Sequence, residues 1–550
     1  MHNLLVLIQY DMLVSMELRK RAPRKELPMA TPNEKLAASL AVLQKLQRDR
    51  RVFRSNELSR VHRERLLKNG FIREVAKGWL VLWSPGTTKG DSTPWFASFW
   101  EFCARYCTDR FGDDWYLSPE QSLLLHAEST IIPAQMVVYS PKGSNHTIKL
   151  LFGTSLYDLK QRMPLKAGLV AREELRLFSP AAALVRVPET FFARNPVETQ
   201  VVLSHVKDAS EVLSHLLEEG RSVIASRLAG AFRRIGRGDI ADEIVSTMKS
   251  AGYVIRESDP FVPEQTFGAL VIAVPPIVGR IHALWEAARD AVLDAFPKTP
   301  GLPKKPKDYL GFVDDIYTSD AYHSLSIEGY SVTLDLIERV RSGAWNPNDN
   351  TADAESKNAL AARGYWQAFQ LVKKSVAEVI SGTEPGALIR SAHREWYREL
   401  FQPFIMAGIV PATALAGYRR NPVYLRGSRY VPPRAETVSD AMTALFDLLE
   451  HEPEPSVRAV LGHWLFGYIH PYPDGNGRMA RFVMNVALAS GGYQWTVIRM
   501  EDRDEYLHAL DRASIDLDIT SFASYVAGRV RWSMRQAAKT AKPRHKAGSS

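Results

Sequence analysis

The stretch His470-Pro471-Tyr472-Pro473-Asp474-Gly475-Asn476-Gly477-Arg478-Met479-Ala480-Arg481 decides the fold of the C-terminal half of this chain. Apolar residues recur at helical intervals before it, at residues 457–468, and after it, at residues 479–486. Two prolines and two glycines between these runs exclude a continuous helix. The sequence therefore predicts a tight loop that joins two buried helices.

The predicted loop is suited to binding an anion. Gly475, Asn476 and Gly477 can adopt positive φ and present unpaired N–H groups directly before a helix N-terminus. Arg478 and Arg481 lie three residues apart, so we expect them near one another on the helix surface, where they can clamp phosphate charge.

Two other side chains in the loop suit metal and proton chemistry. Asp474 offers hard oxygen ligands for Mg²⁺, which usually binds one or two carboxylates together with substrate phosphates. His470 has an ordinary pKa close to that of a working general base. The combination predicts transfer of a phosphate-containing group to a hydroxyl. A plain turn is the alternative, but it needs neither the histidine nor both arginines.

The stretch resembles the signature of Fic-domain proteins, His-x-Phe-x-Asp/Glu-Gly-Asn-Gly-Arg-x-x-Arg, and departs from it only at Tyr472, where the family has Phe. The resemblance implies transfer of AMP, less often of another phosphate-containing moiety, from a nucleotide to a protein hydroxyl. We expect the Tyr472 ring to pack into the core, where its hydroxyl needs a partner.

The resemblance also implies a role for each residue of the loop. His470 is the implied base and Asp474 the implied Mg²⁺ ligand, with pyrophosphate as the leaving group. The implied nucleotide phosphate contacts are Gly475, Asn476 and Gly477 for the α- and β-phosphates, and Arg478 and Arg481 for the β- and γ-phosphates.

Two further stretches agree with the family layout. Val423-Tyr424-Leu425-Arg426-Gly427-Ser428, before Tyr430-Val431-Pro432-Pro433, has strand–turn–strand character. The resemblance implies a β-hairpin flap here that docks an extended target segment through main-chain hydrogen bonds. Residues 503–514 correspond to the helix that lines the base pocket, where Tyr506 fits. Leu507 and Ser514 replace a frequent aromatic residue and Asn, so adenine is less firmly specified than the phosphate chemistry.

The stretch Ser324-Leu325-Ser326-Ile327-Glu328-Gly329 places Ser324 and Glu328 one turn apart on one helix face, and Gly329 permits a break. It resembles the inhibitory motif Ser/Thr-x-x-x-Glu-Gly of the Fic class with an N-terminal inhibitory helix, here near residues 318–329. The resemblance implies that Glu328 pairs with Arg481 and displaces the γ-phosphate. An ordinary surface glutamate near a helix end is the alternative.

The composition excludes several classes of protein. With 45% hydrophobic and 24% charged residues over 550 residues, the chain is not disordered throughout. Two cysteines cannot make a disulfide framework or complete a zinc site. The apolar residues 4–14 are too few and too interrupted for a membrane span or a good signal peptide. We therefore expect a cytoplasmic protein with no membrane partner.

The net charge of +9 is concentrated at the two ends. Residues 17–77 hold 17 Lys/Arg and 7 Asp/Glu, and residues 529–550 hold 7 basic and no acidic residues. Anionic partners are therefore expected for the termini and not for the mildly acidic middle.

The N-terminal segment has the layout of a winged helix. Residues 1–34 are expected to be a flexible leader, and the sequence leaves open whether Met16 is the true start of the protein. Residues 35–86 contain helical runs followed by a hairpin. Residues 61–68 would be the recognition helix that meets DNA. The segment resembles the winged-helix module of abortive-infection type IV antitoxins, which implies an autorepressor. A small basic domain that binds protein or nothing is the alternative.

The sequence as a whole predicts a multidomain chain. The winged helix (α+β) is followed by four predicted regions. They are a mixed α/β antitoxin-like region at 87–200, a helical region at 201–260, a mainly α-helical Fic core at 310–528 and a basic tail at 529–550. The leading function is transfer of AMP from ATP, with Mg²⁺, to a Ser, Thr or Tyr hydroxyl of a target protein, held off by Glu328.

The sequence leaves two alternative functions open. One is a DNA-binding antitoxin-like regulator whose Fic core senses nucleotide. The other is a transferase that uses UTP, GTP or a phosphocholine carrier. The sequence leaves open the target, any DNA site, removal of AMP and a homodimer.

Overall fold

The computed structural model describes residues 31–47, 50–87, 90–164, 168–218, 220–262, 274–345 and 357–540. The chain divides into two compact units between Thr87 and Thr88. Residues 1–30 of the predicted leader and residues 541–550 of the basic tail lie outside the described residues.

The first unit is a small helix–sheet domain. Its elements are α1 (Pro32–Leu46), β1 (Val52–Arg54), a 3₁₀ turn (Ser55–Glu57), α2 (Arg60–Lys68), β2 (Ile72–Ala76) and β3 (Trp79–Leu82). The three strands form an antiparallel sheet in the order β1-β3-β2. Its core consists of Leu43, Phe53, Leu58, Leu66, Ile72 and Leu80. The expected helices and hairpin are present, whereas the identity of the unit as a winged helix stays a prediction.

Helix α1 begins at Pro32, earlier than the predicted end of the leader at residue 34. The Thr31 Oγ1 accepts from the Glu34 N–H at 3.3 Å, and the Glu34 carboxylate accepts from the Thr31 N–H at 2.6 Å, which is a capping box. A proline in the first helical turn loses no hydrogen bond, because that N–H has no acceptor within the helix. The prediction of an unstructured leader is therefore wrong for residues 31–34.

The second unit combines small sheets with many helices. A four-stranded sheet has the order β4-β5-β7-β6, in which β5 and β7 are parallel and the other pairs antiparallel, and β8 and β9 form a separate hairpin. The strands are β4 (Tyr116–Leu117), β5 (Gln135–Ser140), β6 (His146–Lys149), β7 (Ser155–Lys160), β8 (Leu169–Arg172) and β9 (Leu175–Phe178).

The helices of the second unit fall into an N-terminal and a C-terminal group. The first group is α3 (Thr93–Phe96), α4 (Phe99–Phe111), α5 (Pro119–His126), α6 (Pro180–Leu184), α7 (Glu189–Arg194), α8 (Pro196–His205), α9 (Ser210–Glu218), α10 (Ser222–Arg234) and α11 (Gly238–Ser250). The second group is α12 (Pro276–Ala295), α13 (Pro306–Ile327), α14 (Leu334–Arg341), α15 (Lys357–Ile380), α16 (Pro385–Met406), α17 (Val438–His451), α18 (Pro455–Ile469), α19 (Asn476–Ser490), α20 (Arg503–Ile515) and α21 (Thr520–Thr540). Short 3₁₀ turns occur at Leu151–Gly153, Ala412–Leu415, Ala435–Thr437 and Met500–Asp502.

One hydrophobic core runs through the second unit and is centred on the α18–α19 pair. Helices α15 and α16 pack against α19, and α13 packs against α15. Helix α12, which the sequence left unassigned between 260 and 310, packs against α8 on one side and against α17, α18 and α21 on the other. Within the described residues the segments 87–200, 201–260 and 310–528 therefore share one core.

Among the described residues, no helix is long and apolar enough to cross a bilayer. The expected cytoplasmic location stays a prediction.

Candidate active site

His470 terminates α18 in the left-handed conformation, with φ 52° and ψ 58°. Its Nδ1 lies 3.3 Å from the Gly467 carbonyl, which can only accept, so Nδ1 carries the proton and Nε2 keeps a free lone pair. Burial lowers the pKa of the imidazole to about 4. The side chain is therefore neutral at physiological pH and able to accept a proton at Nε2.

The loop after His470 is held in shape by Asn476. The buried Asn476 Oδ1 accepts from the Tyr472 N–H at 2.9 Å, and its Nδ2 donates to the Tyr472 carbonyl at 2.8 Å. Gly475 precedes α19 with φ 83°, and a Cβ there would lie 2.7 Å from the Phe401 ring. Because α19 begins at Asn476, the N–H groups of its first turn have no acceptor one turn earlier. They and the helix dipole form an anion cradle.

A cavity of about 550 Å³ opens beside this cradle. Its volume lies within the range that small-molecule sites occupy in proteins. The predicted site residues that line it are His470, Asn476, Gly477, Arg481, Tyr506, Glu328, Leu425, Arg426, Gly427 and Ser428. The predicted residues outside its lining are Asp474, Gly475, Arg478, Ser324, Gly329, Val423 and Tyr424.

The end of α13 reaches the cavity and contacts Arg481. The buried Arg481 Nε donates to Ser324 Oγ at 2.9 Å, and Nη2 donates to the Ser324 carbonyl at 3.1 Å and to Glu328 Oε1 at 2.7 Å. A Cβ on Gly477 would lie 2.2 Å from Glu328 Oε1, so the carboxylate lies directly against the cradle. It occupies space that an anion bound to the cradle and Arg481 would need.

The environment keeps the Glu328 carboxylate ionised. Burial raises its pKa, but the positive charges of Arg481 and Arg478 and the hydrogen bond from Arg481 outweigh burial and hold the pKa below its usual value. The Glu328–Arg481 contact is therefore a charged pair at neutral pH.

Arg478 points away from the cavity lining into the protein. Its guanidinium lies over the rings of Tyr330 and Phe401, at 5.3 and 5.2 Å from their centres, and its Nη2 is 3.4 Å from Asp474 Oδ1. Both Arg478 and Arg481 are buried, and Arg481 but not Arg478 lines the cavity, so the expected joint clamp on phosphate charge stays a prediction. Arg478 Nε and Nη1 have no hydrogen-bond partner within the described part of the chain. Buried donors of this kind call for an acceptor such as a phosphate oxygen.

The sequence around this site matches a known domain family. Residues 387–488 match the sequence model of the Fic/DOC family. The chain contains a Fic domain. A relative from Nematostella vectensis named "Protein adenylyltransferase Fic" is 30% identical over 220 residues, which are 39% of this chain and 47% of the relative. A relative of the same name from Drosophila melanogaster is 27% identical over 252 residues, 45% of this chain and 46% of the relative. The chain thus spans about half the length of the curated relatives it matches.

Two solved structures are also similar to this chain. A Fic domain containing signaling protein from Bacteroides thetaiotaomicron is 21% identical with a TM-score of 0.36, covering 48% of this chain and 97% of that one. Fic-1 from C. elegans is 17% identical with a TM-score of 0.36, covering 60% of this chain and 92% of that one.

Asp474 is the residue of the Fic domain that could hold a metal ion. Its side chain is 59% exposed at the end of the loop. No group of three or more His, Cys, Asp or Glu residues that could hold a metal occurs among the described residues. A single exposed carboxylate beside an anion cradle fits Mg²⁺, which keeps several waters and shares the substrate phosphates.

The departure from the Fic signature, Tyr472, lies in an aromatic cluster. Its ring stacks on Tyr397 at 3.7 Å with an angle of 7°, and the rings of Tyr418 and Phe466 are nearby. The expected packing in the core is present. The expected partner for the hydroxyl is not, because the Tyr472 hydroxyl has no hydrogen bond to any described residue. The surrounding aromatic faces offer no good acceptor.

The helix that was expected to line the base pocket is α20. Tyr506 is buried on it, and its hydroxyl lies 2.8 Å from His463 Nε2. Ser514 Oγ accepts from the Trp464 indole N–H at 3.1 Å. Leu507, at 38% exposure, also lines the cavity. The pocket wall thus carries one apolar residue and one hydroxyl at the positions where the sequence departs from the family.

The predicted β-hairpin flap does not form. Residues 423–433 contain no strand, although Gly427 makes a turn with φ 79°. Their main-chain groups bond elsewhere: the Arg429 carbonyl accepts from the Ile132 N–H at 2.9 Å, and the Val431 carbonyl accepts from Thr130 Oγ1. The prolines at 422, 432 and 433 also remove ladder donors. The segment therefore lies beside the cavity as an irregular loop.

Arg419 is a site residue that the sequence reasoning missed. The buried guanidinium donates through Nε to the His470 carbonyl at 2.7 Å and through Nη2 to the carbonyls of Ile469, at 3.3 Å, and Pro433. Its N–H donates to the Pro471 carbonyl at 2.8 Å. Arg419 thus joins the loop after His470 to Pro433. It stands in a segment without periodicity, so no pattern could have marked it.

Proposed function

We propose that this chain is a protein adenylyltransferase that transfers AMP from ATP to a hydroxyl side chain of a target protein. The observation that carries this proposal is the cavity that brings the free Nε2 of a neutral His470 beside the Asn476–Gly477 cradle and Arg481. The relatives named "Protein adenylyltransferase Fic" support it across the same part of the chain.

The chemistry follows from the positions of these groups. His470 Nε2 takes the proton of the target hydroxyl as its oxygen bonds to the α-phosphorus of ATP. The bond from the α-phosphorus to the bridging oxygen breaks, and pyrophosphate leaves. The N–H groups at the start of α19 and the guanidinium of Arg481, once Glu328 has left it, stabilise the charge that develops on the phosphates. Mg²⁺, held by Asp474 and the phosphates, would offset part of the same charge when bound.

We further propose that Glu328 inhibits this transfer. Its carboxylate pairs with Arg481 at 2.7 Å and lies against Gly477, where it competes with the γ-phosphate for the same donors. Ser324 supports the pair by accepting from Arg481 Nε. A triphosphate can bind productively only when the carboxylate leaves.

Replacement of Glu328 tests both proposals. With labelled ATP, Glu328→Gly should increase auto-modification at least tenfold, because removing the competing ion pair is worth more than about 1.4 kcal/mol. Glu328→Gln should give a smaller increase, since it keeps the shape and loses the charge. The double variant Glu328→Gly with His470→Ala is the negative control. Equal labelling of the parent and Glu328→Gly would contradict inhibition, and no labelling of either would contradict the transferase.

The nucleotide donor is tested in the same background. Leu507 and Ser514 make the base pocket of this chain different from the family pattern, which keeps UTP, GTP and a phosphocholine carrier as alternatives to ATP. A donor screen with Glu328→Gly should give the highest kcat/KM for ATP. If another donor has a higher kcat/KM, that donor replaces ATP as the proposed substrate. The proposed phosphate chemistry then stays the same.

A second candidate function, DNA binding, concerns the first unit alone. Residues 31–87 hold 12 Lys/Arg against 5 Asp/Glu, and Arg60, Val61 and Lys68 are exposed on α2. Arg60 pairs with Glu64, and Arg65 donates to Ser39 and to the Lys35 carbonyl. Some of these basic side chains therefore make contacts within the unit itself. If the unit binds DNA, the affinity of residues 30–90 should fall linearly with salt on a log–log plot, and residues 88–550 should serve as the control. Salt-independent or absent binding would contradict it.

A further inference from the structure

Arg280 is a fully buried arginine on α12, outside the part of the chain that matches the Fic family. Its Nε donates to the Tyr468 hydroxyl at 2.8 Å. Its Nη1 donates to Glu198 Oε1 on α8 at 2.9 Å and lies 3.4 Å from the Ala127 carbonyl after α5. One guanidinium thus joins the N-terminal helices of the unit to α18.

Tyr468 belongs to the wall of the nucleotide cavity. It precedes His470 by two residues, and its ring stacks on Tyr430 with 4.4 Å between the centres. The Tyr430 hydroxyl donates to the Tyr468 carbonyl at 2.7 Å, and the Tyr430 N–H donates to Ser428 Oγ at 3.0 Å. Tyr468, Tyr430 and Ser428 all line the cavity. The position of the Tyr468 ring therefore sets the position of this wall.

The buried ion pair of Arg280 and Glu198 is better suited to orienting the Tyr468 side chain than to stabilising the fold. Both partners are buried, with 0% of the Arg280 side chain and 4% of the Glu198 side chain exposed, and the Arg280 Nη2 lacks a partner within the described residues. Burying such a pair costs solvation, and apolar residues of equal volume often stabilise as well or better. A buried charged donor does, however, fix the phenol oxygen, because the ring cannot turn without leaving the donor unsatisfied.

A second arginine on α12 provides a direct comparison. Arg289 Nε and Nη2 donate to the Glu452 carboxylate at 2.9 and 3.0 Å, so it also joins α12 to the Fic domain through a buried carboxylate. Neither Arg289 nor Glu452 lines the nucleotide cavity. Arg289 therefore has the structural role of Arg280 without its contact to the cavity wall.

We propose that Arg280 is a positioning residue for nucleotide binding, acting through Tyr468 and the stacked Tyr430. The helices before the family region thereby form part of the transferase site. The inference rests on the proposed function, because ATP is the nucleotide that the wall is inferred to orient.

The test compares single variants in the activated Glu328→Gly chain. Arg280→Gln and Tyr468→Phe should each raise the KM for ATP about tenfold, the amount expected from losing one hydrogen bond to a charged group. The effect on kcat should be smaller, because His470 is not in contact with Arg280. Arg280→Lys should restore part of the loss. Arg289→Gln should lower the unfolding temperature and leave the KM for ATP within twofold of the parent.

The same experiment can overturn the inference. The inference is overturned if folded Arg280→Gln and Tyr468→Phe both have a KM for ATP within twofold of the parent. It is also overturned if Arg289→Gln raises the KM for ATP as much as Arg280→Gln does. If Arg280→Gln fails to fold, Tyr468→Phe decides alone, because it removes a single oxygen. If the parent shows no transfer, the proposed function has failed, and the Kd for ATP measured by calorimetry on the same variants decides the inference separately.

Discussion

At the scale of the residue, the proposed reaction depends on how burial changes the proton affinity of His470. Burial lowers its pKa to about 4, although the charges of Glu328 and Asp474 act in the opposite direction. The Gly467 carbonyl fixes the proton on Nδ1, so the lone pair of Nε2 is available throughout the neutral range. The left-handed backbone of His470, at φ 52°, lets the chain turn directly into the loop.

The pH profile of transfer should reveal this shift. The base acts in its neutral form, so activity is lost only as pH falls through the lowered pKa. We expect kcat/KM of the Glu328→Gly chain to be constant from about pH 6 to 8 and to decline below about pH 5. A stopped assay with labelled ATP across this range measures it. An acid limb centred near the ordinary histidine value of about 6.5 would show that His470 is not the shifted base.

Replacing Tyr472 by Phe should stabilise the protein. The Tyr472 hydroxyl is buried without a partner among the described residues, and Phe keeps the stack on Tyr397. We expect Tyr472→Phe to raise the free energy of unfolding by about 1 kcal/mol and to leave kcat unchanged. Chemical denaturation measures the first value. The matched control is Tyr430→Phe, which removes a hydroxyl that does donate a hydrogen bond and should destabilise. Destabilisation by Tyr472→Phe would contradict the conclusion that the Tyr472 hydroxyl is buried without a hydrogen-bond partner among the described residues.

At the scale of the element, the irregular segment 419–433 is held by side chains and not by strand pairing. Arg419 links both ends of it to the residues around His470, while Ser428 Oγ donates to Asp511 on α20. Several of the hydrogen bonds that join the segment to the residues around His470 come from Arg419. A strand pair would have spread the same task over many main-chain bonds.

Removing the Arg419 guanidinium should loosen this segment. Arg419→Gln leaves buried carbonyls at Ile469 and His470 without their donor, so we expect transfer by the Glu328→Gly chain to fall more than tenfold. Trypsin should also cut after Arg426 and Arg429 more quickly. The neighbouring exposed arginine gives the control, since Arg420→Gln should change neither value. Unchanged transfer in Arg419→Gln would show that the loop keeps its shape without the clamp.

At the scale of the whole molecule, two units with separate cores make up the described chain. The residues that line the nucleotide cavity all lie between 327 and 514, in the second unit. The basic first unit contributes none of them. The charge that the sequence concentrates at the N-terminus thus belongs to a different unit from the proposed chemistry.

Deleting the first unit should therefore spare transfer. We expect residues 88–550 carrying Glu328→Gly to keep kcat/KM for auto-modification within about threefold of the full chain, because the residues that line the cavity lie between 327 and 514. The same labelled-ATP assay measures this. A loss of more than tenfold would show that the first unit takes part in catalysis.

Much of the site was predictable because its residues are close in sequence. The loop from His470 to Arg481 forms a cradle through local geometry, namely glycine at positive φ and a helix N-terminus directly after it. The stretch at residues 324–329 was singled out by its resemblance to an inhibitory motif, and the expected contact of Glu328 with Arg481 is present. The hairpin at 423–433 was the clearest failure, since extended residues look alike whether or not a partner strand is present.

The sequence by itself determined the short-range chemistry of this protein: a base, a carboxylate, an anion cradle and two arginines within 12 residues. Only the tertiary structure decided how burial tunes them. It lowered the pKa of His470 and buried both arginines. It also brought Arg280 to Tyr468 and Arg419 to His470, which are 188 and 51 positions away along the chain. The physical reason is that local order follows from backbone geometry, whereas desolvation and long-range hydrogen bonds depend on which surfaces the packed helices remove from water.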